Sequence, residues 1–179
     1  MAVVPILTEP NNLLHEKCQE ITDFNKETKK LVKNLLDTVR EAKDPIGAGL
    51  AASQLGVLKR VCIARQFTYD NSNEEDSSKI DHVLINPVIK RRSKEKELGW
   101  EGCLSLPDLY AQVERSKKVT VEAFNVDGKK IHLNASDFLA RVIQHEMDHL
   151  DGVLITDKNV GKIISENQFQ DLLEEVSSL

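Results

Sequence analysis

A chain of 179 residues with 24 Lys and Arg against 29 Asp and Glu carries a net charge of −5 and is 40% apolar, the composition of an ordinary globular protein. That balance, with a pI near 5.6, excludes a protein held to nucleic acid by bulk backbone charge, though not one with a small basic patch. No apolar run approaches the length needed to span a bilayer, which excludes a membrane-crossing helix. Met1 to Pro5 carries no basic segment leading into an apolar run, so no secretory signal is expected. Cys18, Cys62 and Cys103 are too few for a disulfide framework and point to a reducing, cytoplasmic setting. The length fits one domain over 1–179.

In chain order, residues 22–42 read as the first long helix. Phe24, Leu31, Leu35, Leu36 and Val39 recur at three- and four-residue spacing, Thr22 or Asp23 can cap the start, and Pro45 and Gly47 follow the stop. Residues 61–64 form a short apolar strand. The stretch from Asp70 to Asp81 is rich in Asp, Glu, Ser and Asn and reads as an exposed loop. Residues 83–89 form another strand. Val119 to Phe124 alternates at period two, and Asp127-Gly128 turns it back into Lys130 to Leu133 as a hairpin. Residues 136–150 switch to helical period, with Asn134 or Ser136 as caps, and Lys162 to Leu179 reads as an acidic final helix. The expected fold class is α+β: antiparallel strands packed around a central helix, with an N-terminal and a C-terminal helix.

The central helix carries His145-Glu146-Met147-Asp148-His149. At about 100° per residue His149 lies about 40° round from His145, and Glu146 falls on the same side. Phe138 and Val142 share that arc, so the face is expected to be buried. Two neutral imidazoles there suit a borderline-soft divalent cation, and Glu146 stands beside it as a general base toward water. A catalytic site needs a third protein ligand. Downstream of His149 there is no histidine, only Glu166, Glu174 and Glu175 on the tail. Upstream, Cys103 in Glu101-Gly102-Cys103-Leu104-Ser105 offers a thiolate on a tight loop. Cys18 and Cys62 read as core thiols, and Trp100 as packing for the cysteine loop.

Gly47-Ala48-Gly49-Leu50-Ala51-Ala52-Ser53-Gln54 imitates a dinucleotide fingerprint, but it follows a helix and not a strand, so a nucleotide site is not expected. Its glycines suit close backbone approach to a ligand or metal site, and Gln54 offers an amide donor. Arg115, beside Lys117 and Lys118, reads as a residue of a partly solvated face that can reach a carboxylate. Two other readings stay open at this point. A zincin-type metallopeptidase would draw its third ligand from the tail, and a non-catalytic binding module would keep only a structural metal.

Together these stretches resemble the peptide deformylase family. G-φ-G-φ-A-A-x-Q, with φ apolar, matches residues 47–54; E-G-C-φ-S matches 101–105; Q-H-E-x-D-H matches Gln144 to His149, followed by Leu150-Asp151-Gly152. The resemblance spans about Pro5 to Ile164. It implies that Cys103, His145 and His149 hold one divalent metal, Fe(2+) in the cell, with Zn(2+), Ni(2+) or Co(2+) able to take its place. It implies Glu146 as acid/base, Gln54 and the Leu104 N–H as the oxyanion hole, and Gly47, Ala48, Gly49, Tyr110, Phe138 and Val142 around the peptide. The implied reaction removes the formyl group from formyl-methionine of nascent polypeptides, by a monomer with no nucleic-acid or membrane role. Ala48 stands where many members carry Ile or Val, and Tyr110 where some carry Arg. The last helices of members thought to dock on the ribosome are basic. Here Glu166, Asp171, Glu174 and Glu175 face no Lys or Arg after Lys162, so ribosome docking finds little support in the tail.

Overall fold

The computed structural model describes residues 3–43, 46–68 and 78–177. Helix α1 (Lys26–Glu41) starts later than its apolar period suggests, because Asn25 and not Thr22 or Asp23 caps it. The Asn25 side chain accepts from the N–H groups of Glu27 and Thr28, satisfying two donors that the first helical turn leaves open. Phe24 lies ahead of the cap and packs on Phe124 at 5.5 Å. Pro45 and most of the 70–81 stretch lie outside the described residues; Ser78 to Asp81 belong to a strand.

Strands β1 (Gly49–Ala51), β2 (Val61–Thr68), β3 (Ser78–Arg92), β6 (Lys118–Phe124) and β7 (Lys130–Ser136) form a five-stranded antiparallel sheet in the order β1-β2-β3-β6-β7. A second sheet, ordered β4-β5-β8, joins β4 (Lys96–Cys103), β5 (Leu106–Ser116) and β8 (Asn159–Ser165). Helix α2 (Asp137–Leu150) packs on β1, β2 and β7 and touches β5. A one-turn helix α3 (Ile155–Lys158) leads into β8, and α4 (Glu166–Ser177) ends the described chain. The expected α+β class holds. The tail differs from expectation, since Lys162 to Ser165 finish β8 and only Glu166 onward is helical.

Strand alternation explains why the five-stranded sheet is buried on both faces. On β2, Cys62 and Ala64 join Leu139, Ala140 and Ile143 of α2 in one cluster. Val61 and Ile63 join Val32, Leu35 and Val39 of α1 in another, on the opposite face. The small sheet closes its own cluster of Leu14, Cys103, Leu106, Ala111, Val113, Leu154 and Ile155. Helix α2 therefore sits between the two sheets. Cys18 and Cys62 are buried free thiols, as expected. No described helix is long and apolar enough to cross a membrane.

Candidate metal centre

Helix α2 brings His145 and His149 to one side, their rings 4.9 Å apart and steeply inclined. Strand β4 delivers Cys103 against them, with Sγ 3.2 Å from His149 Nε2. One ligand atom from each of the three residues lies within 4.8 Å of the others, the only such cluster among the described residues. Soft sulfur with two imidazoles is the donor set of a transition or zinc ion. Burial opposes ionisation of the Cys103 thiol, but the neighbouring His149 and His145 outweigh it and bring its pKa down to about 5. A thiolate is the ligating form, so the residues present fit a bound divalent cation.

Glu101, two residues before Cys103 on β4, points to the same side of the strand. Its Oε2 lies 3.0 Å from His145 Nδ1. Arg115 donates to both Glu101 oxygens, at 2.9 Å each, and also pairs with Asp148. Arg141 adds a 2.8 Å bond to Glu101 Oε1. Burial would raise the Glu101 pKa, yet His145 and Arg115 hold it down to about 2. An anchored carboxylate on Nδ1 fixes the ring and leaves Nε2 as the nitrogen that would ligate, the usual support for a metal-bound histidine. Arg115 thus reaches a carboxylate as expected, but the partly solvated face expected for it is corrected: it is 7% exposed, because it lies on the inner face of β5, while Lys117 lies beyond the strand's end.

Gln144, ahead of the first histidine, is fully engaged. Its Oε1 accepts from Arg92 Nη1 and Ser116 N, and its Nε2 donates to the Ser116 and Ala140 carbonyls. These bonds lock α2 to the ends of β3 and β5. Gln54 sits in a short 3₁₀ turn after β1. Its Oε1 is taken by Ala51 N at 2.9 Å, which turns the NH₂ toward Ser105 Oγ at 3.1 Å and Cys103 Sγ at 3.8 Å. Glu146 is 3% exposed, and its Oε2 has no hydrogen-bond partner among the described residues. Burial pushes its pKa up to about 7 against the pull of His145 and His149. A Cβ on Gly49 would lie 2.3 Å from Glu146 Oε1, so the glycine is required for β1 to pass that close to the carboxylate.

A cavity of about 240 Å³ opens over this cluster, lined in part by Ala48, Gly49, Gln54, Cys103, Leu104, Tyr110, Phe138, Val142, His145 and Glu146. The family model described as Polypeptide deformylase matches residues 3–164. The chain belongs to the peptide deformylase family. It is 42% identical over 172 residues to peptide deformylase 1 of Bacillus subtilis, covering 96% of this chain and 99% of that one. Among solved structures, a Met-Ala-Ser-bound class I type b peptide deformylase from Acinetobacter baumannii superposes with a TM-score of 0.76 at 30% identity, covering 88% of this chain and 98% of that one. The Ehrlichia chaffeensis peptide deformylase reaches 0.78 at 29% identity over 99% and 96%.

The structure gathers eleven of the twelve expected site residues at or beside this cavity. Gly47 is the exception: its α-carbon faces Val39 of α1, where an added Cβ would lie 2.5 Å from the Val39 carbonyl oxygen. Phe138 also departs from the expected buried face. It is 54% exposed and lines the cavity with its ring against Phe67. His149, by contrast, is 1% exposed. Trp100, expected to pack the cysteine loop, is itself a residue of β4 and lines the cavity. The roles of Glu101, Arg141 and Asp148 were missed in the sequence, whereas Arg115 does reach a carboxylate as expected; the period-two relation of Glu101 to Cys103 was the available signal.

Proposed function

We propose that the protein is a metal-dependent peptide deformylase that hydrolyses the N-terminal formyl group of formyl-methionyl polypeptides and releases formate. The observation that carries this reading is the convergence of Cys103, His145 and His149 with the Glu146 carboxylate and the Gln54 amide on one cavity. A divalent cation held by Cys103, His145 and His149 would supply Lewis acidity toward the formyl oxygen and make water more acidic. Glu146, with one buried oxygen unpartnered, accepts the proton of the attacking water and returns it to the departing nitrogen. Gln54 Nε2 and the Leu104 N–H donate to the carbonyl oxygen as negative charge builds. Glu101 keeps His145 in the tautomer that presents Nε2. The formyl carbon bears only hydrogen, so it is less hindered than a peptide carbonyl, which favours deformylation over general proteolysis.

The resident metal is read as ferrous iron, with zinc, nickel or cobalt able to substitute, since thiolate and imidazole accept all four. We also read the protein as a cytoplasmic monomer acting on nascent chains, in keeping with its free cysteines. A metallopeptidase with a ligand from the tail is disfavoured because Cys103 already takes the third position. Anaerobic purification, elemental analysis and a formate-release assay on a formyl-Met tripeptide test the assignment. Stoichiometric metal with no formate released would overturn it.

A further inference from the structure

The contact between helix α4 and the cavity wall is used by neither the metal centre nor the hydrolysis. Phe169 stacks on Tyr110 at 4.0 Å and 12°, and meets Trp100 edge-on at 6.1 Å. Both partners line the same cavity as Glu146 and Gln54, whereas Phe169 lies beyond the span 3–164 that the family model matches. Its placement is built in. Strand β8 pairs Ile164 with Tyr110 and Ser165 with Leu109. Ser165-Glu166-Asn167-Gln168 then forms a capping box, with Ser165 N bonded to Gln168 Oε1 and Gln168 N to Ser165 Oγ. One turn on from Ser165, Phe169 lands on the ring of Tyr110. That ring lies over Gly102, where an added Cβ would be 3.0 Å from Tyr110 Cε1.

On β4, Glu101 and Cys103 meet the histidines, while Trp100 and Gly102 line the same cavity beside Tyr110. A polypeptide whose formyl group reaches Gln54 and Glu146 enters the cavity that Trp100 and Tyr110 also line. We propose that Phe169 is a positioning residue that holds Tyr110 and Trp100 as a wall binding the polypeptide downstream of its formylated residue. The inference rests on the deformylase reading. Without Phe169 the Tyr110 ring regains rotamer freedom that binding must remove, a cost that raises KM by about 3–10-fold.

The test compares metal-loaded wild type, Phe169→Ala and Phe169→Tyr on formyl-Met-Ala-Ala and on formyl-methionine alone. Phe169→Ala should raise KM for the tripeptide with kcat within about twofold and leave KM for formyl-methionine unchanged, and Phe169→Tyr should restore it. Trp100 is the chain's single tryptophan, so its fluorescence reports the wall directly. Titration with the unformylated product Met-Ala-Ala should show its Kd weakened by the same factor in Phe169→Ala. Equal KM changes on both substrates, loss of metal with kcat, or an unchanged product Kd would each overturn the proposal. Absence of formate release by wild type would defeat the deformylase reading instead, while the fluorescence titration would still decide whether Phe169 supports a peptide-binding wall.

Discussion

Helices α2 and α4 are both amphipathic and of similar length, 14 and 12 residues, yet they are packed very differently. Helix α2 is enclosed. Leu139, Ala140 and Ile143 meet the five-stranded sheet, and on its other side Arg141, His145 and Asp148 meet Glu101 and Arg115 of the small sheet. Helix α4 rests on β5 and β8 and leaves Leu172, Leu173 and Val176 at 37%, 46% and 71% exposure. A helical period reports an apolar stripe, but only topology decides what lies opposite. Chemistry develops where the polar side is buried too, because there each charged group must find a partner and its pKa moves with that partner.

If the enclosed polar side of α2 makes the site, the largest loss comes from removing the residue that completes it from β4. Cys103→Ala should abolish both stoichiometric metal and measurable formate release, checked by elemental analysis and assay on one preparation. A variant that kept full metal would move the third ligand elsewhere. Next in size is Glu146→Gln, which removes no ligand. It should retain metal and lower turnover by about 10²–10⁴-fold, the usual worth of a positioned proton carrier. Turnover within threefold of wild type would point to another base.

Much of α2 was legible in the sequence because its signals are local: a helical period and two histidines four apart on one turn-to-turn row. Cys103 was legible only as a candidate, since nothing local says which strand meets a helix some forty residues away. Strands β1, β4, β5 and β8 were not seen at all. Strand β4 reads Lys-Glu-Leu-Gly-Trp-Glu-Gly-Cys, with its inward Glu101 satisfied by distant arginines, so it lacks the apolar alternation that marks a half-buried strand. Strand β8 has an exposed pattern and forms because β5 offers a free edge. The start of α1 was misplaced by two to three residues because Thr22, Asp23 and Asn25 are all competent caps.

A second enclosed charge lies on the far side of the five-stranded sheet and tests whether buried ion pairs outside the site behave alike. Asp81 accepts from Arg65 Nε at 2.7 Å and from Arg40 Nε at 2.8 Å, and the Arg65 side chain is only 3% exposed. Burial raises the Asp81 pKa, but the two guanidiniums outweigh it and set it below the usual value of 3.8. The unfolded chain therefore binds this proton more readily than the folded one. The stabilisation is present in full above the ordinary carboxylate range and is lost as pH falls through the depressed folded value. Asp81→Asn, which leaves Arg65 buried without its anion, should cost about 3 kcal/mol in denaturant unfolding at pH 7. The gap to wild type should narrow as the pH is taken below about 4. A gap that stays constant to acid would mean that the carboxylate charge is not what stabilises.

The smallest expected effect belongs to the open helix. Val176 lies seven residues after Phe169 and so on the same face of α4, but it is 71% exposed. Replacing it by serine removes little apolar surface from contact and leaves the Phe169 stack untouched. Val176→Ser should change unfolding stability by no more than about 0.5 kcal/mol and leave formate release within twofold. The matched change in α2, Ile143→Ser, buries a hydroxyl where a fully enclosed side chain stood and should cost several times as much, since a cavity and an unsatisfied polar group act together. If Val176→Ser instead cost as much as a core substitution, α4 would have to be covered in solution. The contrast between the two helices would then be one of partners, not of exposure.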